Sequence, residues 1–506
     1  MIKELFGELT ESQSLKNPIS DTLKWLFIDP TMRKRVLVTV GAIIILQFVA
    51  FIPLPGVDIS TLQEFFRRIS GAQSGSLMNT IQLFSGGALD RLKIFALGLM
   101  PFFSACLLLQ LATVIIPKLR KYSFGGESGR DKMVKFTYIF TIILSIIQAY
   151  FIALWPENPA RFQGMQLVAN PGFGFRLMVT ATITASVLLL LFIAEIINKH
   201  GIGNGVAIIA ISPFFLKFLP AVNTIASLIQ SGKAQPGFAL ILAGIFAGLA
   251  YGIFYLTTRT KVLEISDGKI KTSIFLRSSI VGHEPIGWGT GLILLPVTIA
   301  SFTNAVWIQN FASLISRDTI LYTLISAALI VVFTYLYTLI VFDPKYLIGL
   351  MNKYGFSPVS INDKTSEDQL DNCMSKVLIV TALVLLAINI VPNLAMGFLK
   401  MPYWIASLFC GTTVLLGVGV FSDVLHQAEF FKSKADSGIK DWAVCYTAFD
   451  EFEAKIKTEF LKNKGIQALI EPFRFTWGIP VRTMVDQYRV YVPCDKKEEA
   501  RSLLIS

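Results

Sequence analysis

Histidine and cysteine are scarce in this chain. The three histidines (His200, His283, His426) and five cysteines (Cys106, Cys373, Cys410, Cys445, Cys494) are scattered through 506 residues without CxxC or HExxH spacing. That pattern excludes a zinc ribbon, a metalloprotease helix and a disulfide framework, and all five thiols read as free. A GxSxG elbow, a Walker A loop and an evident carboxylate pair are missing too, so the residues imply no enzyme, cofactor or metal. Charge is thin as well: Asp, Glu, Lys and Arg make up 16%, while 53% of residues are hydrophobic and the mean hydropathy is +0.61. A soluble domain of this size is excluded, and the net charge of +11 becomes a question of which membrane face is basic.

The apolar residues come in long blocks. Residues 1–35 read as a cytosolic amphipathic segment ending in Arg33, Lys34 and Arg35, with no small-x-small cleavage site after the first apolar run. Span one, about Val36 to Ile52, ends at the turn-forming Pro53, Leu54, Pro55 and Gly56, and an outer polar loop covers 57–80. The next stretch, Phe84 to Pro117, has a small, charged preamble followed by an apolar run from Ile94 to Ile116, long enough to cross a bilayer as span two. A preamble this rich in glycine and charge belongs beside water, not lipid.

Spans three (Val134 to Trp155) and four (Phe175 to Ile197) follow, and a tight inner turn, GIGNG at 201–205, leads to span five from Val206. Pro213 and Lys217 predict that span five is short or broken. Span six (Phe238 to Leu256) leads to an inner loop whose alternation around an AspGly turn predicts a β-hairpin. Span seven (Ser279 to Phe302) holds His283, Glu284, Pro285 and several glycines; spans eight (Ile320 to Phe342), nine (Val377 to Val391) and ten (Trp404 to Phe421) complete the membrane part. Lysines and arginines concentrate in the loops on one side, which places both termini in the cytosol. From Asp441 the pattern is that of a soluble βαββα unit, with Asp450 and Glu453 as a capping box and Gly465 ending the helix. The expected divisions are thus 1–35, 36–432 and 441–506.

Seven motifs now stand in order: IPLPGVD (52–58), FSGGAL with IFALGLMPFFSA (84–105), GESGR (126–130), GIGNG (201–205), LLPVTIAS (294–301), VFDPK (341–345) and GTT (411–413). Together they resemble the SecY family, the channel subunits of the bacterial Sec protein translocon. The tail resembles small domains ascribed to signal transduction. The first resemblance implies an all-α polytopic membrane protein of about ten transmembrane helices in two pseudo-symmetric halves, spans one to five and six to ten, with the α+β domain appended at the cytosolic C-terminus.

It also implies site residues. The plug would comprise Ser85, Gly86, Gly87, Ala88, Leu89, Asp90 and Arg91 within Phe84–Lys93; the pore ring, Leu99, Phe103, Val206, Ala210, Gly287 and Leu416. Pro285, Gly287 and Gly289 would supply a soft point in span seven for a lateral gate, and Arg259, Lys261, Lys353 and Lys364 a cytosolic docking face. Implied partners are SecE- and SecG-type small membrane subunits, a SecA-type ATPase or the ribosome, signal sequences of precursors and anionic lipids, at the bacterial cytoplasmic (inner) membrane. Two departures from the family stand out: large Phe103 faces small Ala210 and Gly287, and Ile361 occupies a position where the family carries arginine. His283 and Glu284 read as funnel-wall residues in an aqueous vestibule. The alternative function uses them, with Lys217, as the site of an ion-coupled secondary transporter.

Overall fold

The computed structural model describes residues 11–12, 19–58, 60–62, 64, 92–123, 126–162, 164–232, 237–266, 271–277, 320–341, 344–358, 375, 378–391, 411–439, 441–448, 451–473 and 487–505. It also describes Pro285, Ile286, Trp288, Gly289, Leu292, Ile293, Trp307, Asn310, Phe311 and Leu314. In chain order, β1 (Glu11–Ser12) precedes α1 (Ile19–Ile28) and α2 (Pro30–Val49); then come α3 (Met100–Ile115), α4 (Pro117–Ser123), α5 (Gly126–Leu154), α6 (Phe173–His200), α7 (Gly205–Gln230) and α8 (Gly237–Thr258). A hairpin of β2 (Arg259–Ser266) and β3 (Lys271–Arg277) leads on to α9 (Ile320–Val341), α10 (Pro344–Lys353) and β4 (Ser357–Pro358). The chain ends with α11 (Leu378–Val391), α12 (Gly411–Asp436), β5 (Trp442–Ala448), α13 (Glu451–Asn463), β6 (Leu469–Phe473), β7 (Gln487–Pro493) and α14 (Lys497–Ile505).

This is a polytopic helical fold. Among the described residues Lys132–Leu154, Phe173–His200 and Thr413–Asp436 are long and apolar enough to cross a membrane. Phe48, Phe151 and Phe192 each leave more than half of their surface uncovered on the outer faces of α2, α5 and α6, which suits lipid and not water. Asp29 caps α2 by accepting from the backbone N–H groups of Thr31 (2.9 Å) and Met32 (3.0 Å), and Pro30 occupies the first turn. The Thr31 hydroxyl, first among these donors, holds the Asp29 carboxyl below the ordinary range.

Three expectations need correction. Span two does not begin as helix at Ile94 but at Met100, because the preceding backbone is already engaged. The Leu54 N–H donates to the Leu92 carbonyl (2.8 Å), the Ile94 N–H to the Ile52 carbonyl (3.2 Å), and the Ser186 hydroxyl to the Ile94 carbonyl (2.7 Å). Leu92 and Gly98 also have φ of 40° and 52°, outside the helical region. Span five is not broken: α7 runs 26 residues through Pro213 and Pro220. Pro213 cannot donate to the Ile209 carbonyl four residues back, and the Ser212 hydroxyl takes that acceptor instead at 2.9 Å. Span ten does not stop near Phe421; α12 continues to Asp436 because Ala428 and Phe431 pack against Leu26 and Met32 of the N-terminal helices.

The predicted hairpin pairs antiparallel from Thr260 opposite Arg277 to Ser266 opposite Lys271. β1 and β4 share the other edge of β2, at Arg259–Thr260 and Ile265–Ser266, so the N-terminal segment and the loop after α9 meet on one strand. The C-terminal unit is an antiparallel sheet in the order β5-β7-β6 with α13 against it, as its βαββα pattern predicts, and Gly465 (φ 81°) lies just beyond the end of α13. Asp450, the expected cap, lies outside the described residues.

Within that unit Glu453 and Lys457 are almost fully buried 3.0 Å apart, the Tyr446 hydroxyl donates to Glu453 (2.8 Å), and the Lys457 ammonium sits 3.1 Å from the Tyr446 ring centroid. Removing one ion of such a pair leaves the other uncompensated. Glu453→Ala is therefore expected to destabilise the unit by about 3–5 kcal/mol, and the double change with Lys457→Met to recover most of the loss. Hydrogen exchange of β5 and β7 in the full chain measures both.

Candidate functional site

The expected pore residues converge. Leu99 stands at the start of α3 and Phe103 one turn on, where the Phe103 N–H donates to the Leu99 carbonyl (3.1 Å). Both belong to one apolar cluster with Val206 and Ala210 of α7 and Leu416 of α12, packed with Ala42 and Leu46 of α2 and Leu190, Leu191 and Ala194 of α6. Leu99 and Val206 are buried, and Phe103, Ala210 and Leu416 are partly buried. Phe103 leans on Phe102 with ring centroids 5.8 Å apart. Gly287, the sixth position, lies outside the described residues, as do the plug from Ser85 to Arg91, His283, Glu284, Ile361 and Lys364.

What carries α7 to this cluster is the turn Gly201–Gly205. The Arg35 guanidinium donates to the Gly201 carbonyl (3.0 Å), the Thr39 hydroxyl both donates to the Ile202 carbonyl (3.1 Å) and accepts from the Ile202 N–H (2.9 Å), and the Gly203 N–H donates to the Gln427 side chain (2.6 Å). Asn198 accepts from the Gly205 N–H (2.6 Å), and Asn204 caps α7 through the N–H groups of Val206 and Ala207. Four helices, α2, α6, α7 and α12, are thereby joined at a single turn. Its glycines are required by space: Gly203 has φ 83°, a Cβ on Gly201 would lie 2.5 Å from the Thr39 hydroxyl, and one on Gly205 would overlap the Ala194 carbonyl. Farther along the span, the Gln47 amide donates to the Ser212 carbonyl (2.8 Å), a second tie between α2 and α7.

The opposite end of the site is anchored too. Leu92 and Ala96, the exit of the expected plug, are buried with Leu54, Phe162, Val168 and Phe175. Asp58 accepts from the backbone and side-chain groups of Ser60 and Thr61; the Ser60 hydroxyl, then the Thr61 hydroxyl, hold its carboxyl down at about 2.

In span seven, Pro285 and Ile286 are buried, and Gly289 lies against α9, where an added Cβ would meet that of Leu329 at 3.4 Å. Trp288 packs edge-on to Phe333 of α9 with centroids 5.5 Å apart. Arg259 and Lys261 occupy the first positions of β2, and Lys353 is exposed at the end of α10, so the structure does not gather these cations at the ring. Among the described residues no cluster of three His, Cys, Asp or Glu side chains is placed to hold a metal ion.

Sequence reasoning missed Thr39, Gln427, Asn198 and Arg35 as partners of the turn. Thr39 had a legible signal, since a polar side chain inside an apolar run needs a partner. Nothing in the sequence named which one.

A model of the SecY family matches residues 93–425, and residues 441–506 lie beyond that match. "Protein translocase subunit SecY" of Streptomyces griseus is 32% identical over 432 residues, covering 80% of this chain and 95% of the relative. The protein of the same name from Escherichia coli K12 is 29% identical over 426 residues, covering 81% and 94%. A solved structure described as "The structure of a protein conducting channel" superposes with a TM-score of 0.51 at 16% identity, covering 78% of this chain and 93% of that one, a likeness of fold.

The turn predicts a sharp dependence on residue size. Gly205→Ala forces α6 and α7 apart and is expected to cost about 1–3 kcal/mol, whereas Gly237→Ala, at the open start of α8, has nothing to clash with. Thermal unfolding of the two purified variants separates them.

Proposed function

The chain belongs to the SecY family, and from that membership we propose that it is a protein-conducting channel of the bacterial cytoplasmic membrane. It passes secretory polypeptides across the bilayer and releases membrane proteins sideways into it. The observation that carries the reading is the convergence of Leu99, Phe103, Val206, Ala210 and Leu416, from three helices distant in sequence, into one partly open apolar cluster.

The physics follows from that convergence. A ring of apolar side chains excludes ions by dewetting and offers a passing chain no fixed hydrogen-bonding partner, so it tolerates any sequence. Ser85 to Arg91 serve as the plug, a role that rests on the family resemblance, and the held segment at Leu92 to Ala96 gives it a fixed base. Pro285, Gly287 and Gly289 soften span seven, so that a hydrophobic signal helix parts the wall toward lipid between spans two and three on one side and spans seven and eight on the other. Phe103 supplies the volume that Ala210 and Gly287 leave unfilled.

The remaining assignments rest on the resemblance and on charge. Arg259, Lys261, Lys353 and Lys364 belong to the cytosolic docking face, where a SecA-type ATPase or the ribosome supplies the driving force that a chain without a nucleotide-binding motif lacks. SecE- and SecG-type subunits flank the bundle, anionic lipids meet the basic flanks, and both termini face the cytosol. The ion-coupled transporter finds no support, because the relatives are named protein translocase subunits.

Phe103→Ala is expected to raise the resting ion conductance several-fold in planar bilayers, and conductance equal to the parent's sinks the sealing role. A stalled precursor should cross-link to a photoreactive residue placed at 103. Uptake of a small solute driven by pH in the purified protein alone, with no precursor cross-link, would instead favour transport.

A further inference from the structure

Residues 441–506 do not hang free of the membrane part. Their hydrophobic core is completed by three residues from the loop after α9: Met351, Tyr354 and Phe356 are buried among Cys445, Phe452, Ile456 and Leu504. The Tyr354 hydroxyl donates to the Leu504 carbonyl (3.1 Å), and its ring meets Phe460 at 5.0 Å between centroids. A second attachment runs along α12. Tyr491 of β7 packs on Phe430 (5.2 Å), Phe430 on Phe431 (5.2 Å), and Phe431 under Arg35 (4.5 Å), the same arginine that holds Gly201.

The unit therefore reaches elements of both halves. Through Tyr354 and through α13 against β3 it holds the loops that follow spans eight and six; β5 lies against α5, which belongs to span three. The linker is short, residues 437–440 between α12 and Asp441.

We propose that residues 441–506 are an intramolecular strap that holds the cytosolic ends of the two halves together and must leave its seat before the channel opens. This rests on the channel reading, since a wall that parts between halves needs those halves to separate. A folded unit whose core includes one half's loop and whose first strand touches the other half cannot follow both, so it leaves its seat as one body and opening costs the buried contacts at Tyr354 together with those at β5. A cytosolic macromolecule that engages residues 344–358 competes directly with the strap for Met351, Tyr354 and Phe356.

The test uses the full chain in lipid nanodiscs with a protease site replacing Gly438. After cleavage the wild-type 441–506 fragment is expected to stay bound, and in Tyr354→Ala with Tyr491→Ala to dissociate, with hydrogen exchange over β5 and β7 showing that the unit remains folded. Loss of the fragment is expected to raise resting conductance and precursor cross-linking at 103 by roughly tenfold, the scale of two aromatic contacts. A wild-type fragment that falls away on cleavage, or conductance unchanged by its loss, overturns the strap. Should the double variant lose its strands, a lock decides: Asn352→Cys and Ser502→Cys in a Cys494→Ser background, joined by a reducible bis-maleimide, should block precursor passage until reduced. Undiminished passage through the locked chain overturns the proposal. If no precursor reaches 103 with the strap on, off or locked, the channel reading falls and the strap with it.

Discussion

The turn at Gly201–Gly205 is the constraint on which the rest of the bundle depends. It reverses the chain between two long apolar helices, and reversal inside a crowded bundle exposes backbone groups that lipid cannot satisfy. Five side chains take up that demand: Arg35, Thr39, Asn198, Asn204 and Gln427. Because they come from four helices, the hydrogen bonds that satisfy the turn also set where those helices stand. Val206 and Ala210 face Leu99, Phe103 and Leu416 as a consequence.

The same economy recurs wherever regular structure is interrupted. Pro213 would leave the Ile209 carbonyl without a donor, and Ser212 supplies one while its own carbonyl accepts from Gln47. The non-helical stretch at Leu92 to Gly98 is held by backbone pairing to residues 52–54 and by Ser186. The irregular backbone lies where protein covers it, which is where a membrane protein can tolerate irregularity.

Around residues 441–505, coupling is built from aromatic rings and one shared core instead of a polar turn. Arg35 belongs to both systems: its guanidinium bonds Gly201 on one side and covers Phe431 on the other. A displacement of α12 that frees Phe431 thus bears on the turn that positions α7. β1 and β4, side by side on one edge of β2, bring the N-terminal segment and the α9–α10 region into the same assembly.

The sequence by itself determined the membrane class, the approximate spans, the hairpin, the βαββα tail and the family. These are read from apolar run length, from period-two alternation and from short motifs, all of them local. Three other features were legible only in part. The start of α3 at Met100 and the length of α12 each turned on partners far away in the chain, residues 52–54 with Ser186 and the α1–α2 corner, and the continuity of α7 through Pro213 turned on the hydroxyl of the adjacent Ser212. Only the tertiary structure decided that Thr39 and Gln427 serve one turn, that Leu99, Phe103, Val206, Ala210 and Leu416 share one cluster, and that Tyr354 completes the core of a unit almost a hundred residues later. The reason is physical: an apolar run announces its solvent, but a polar side chain's partner depends on which helices pack together, and that is settled by contacts the local sequence does not encode.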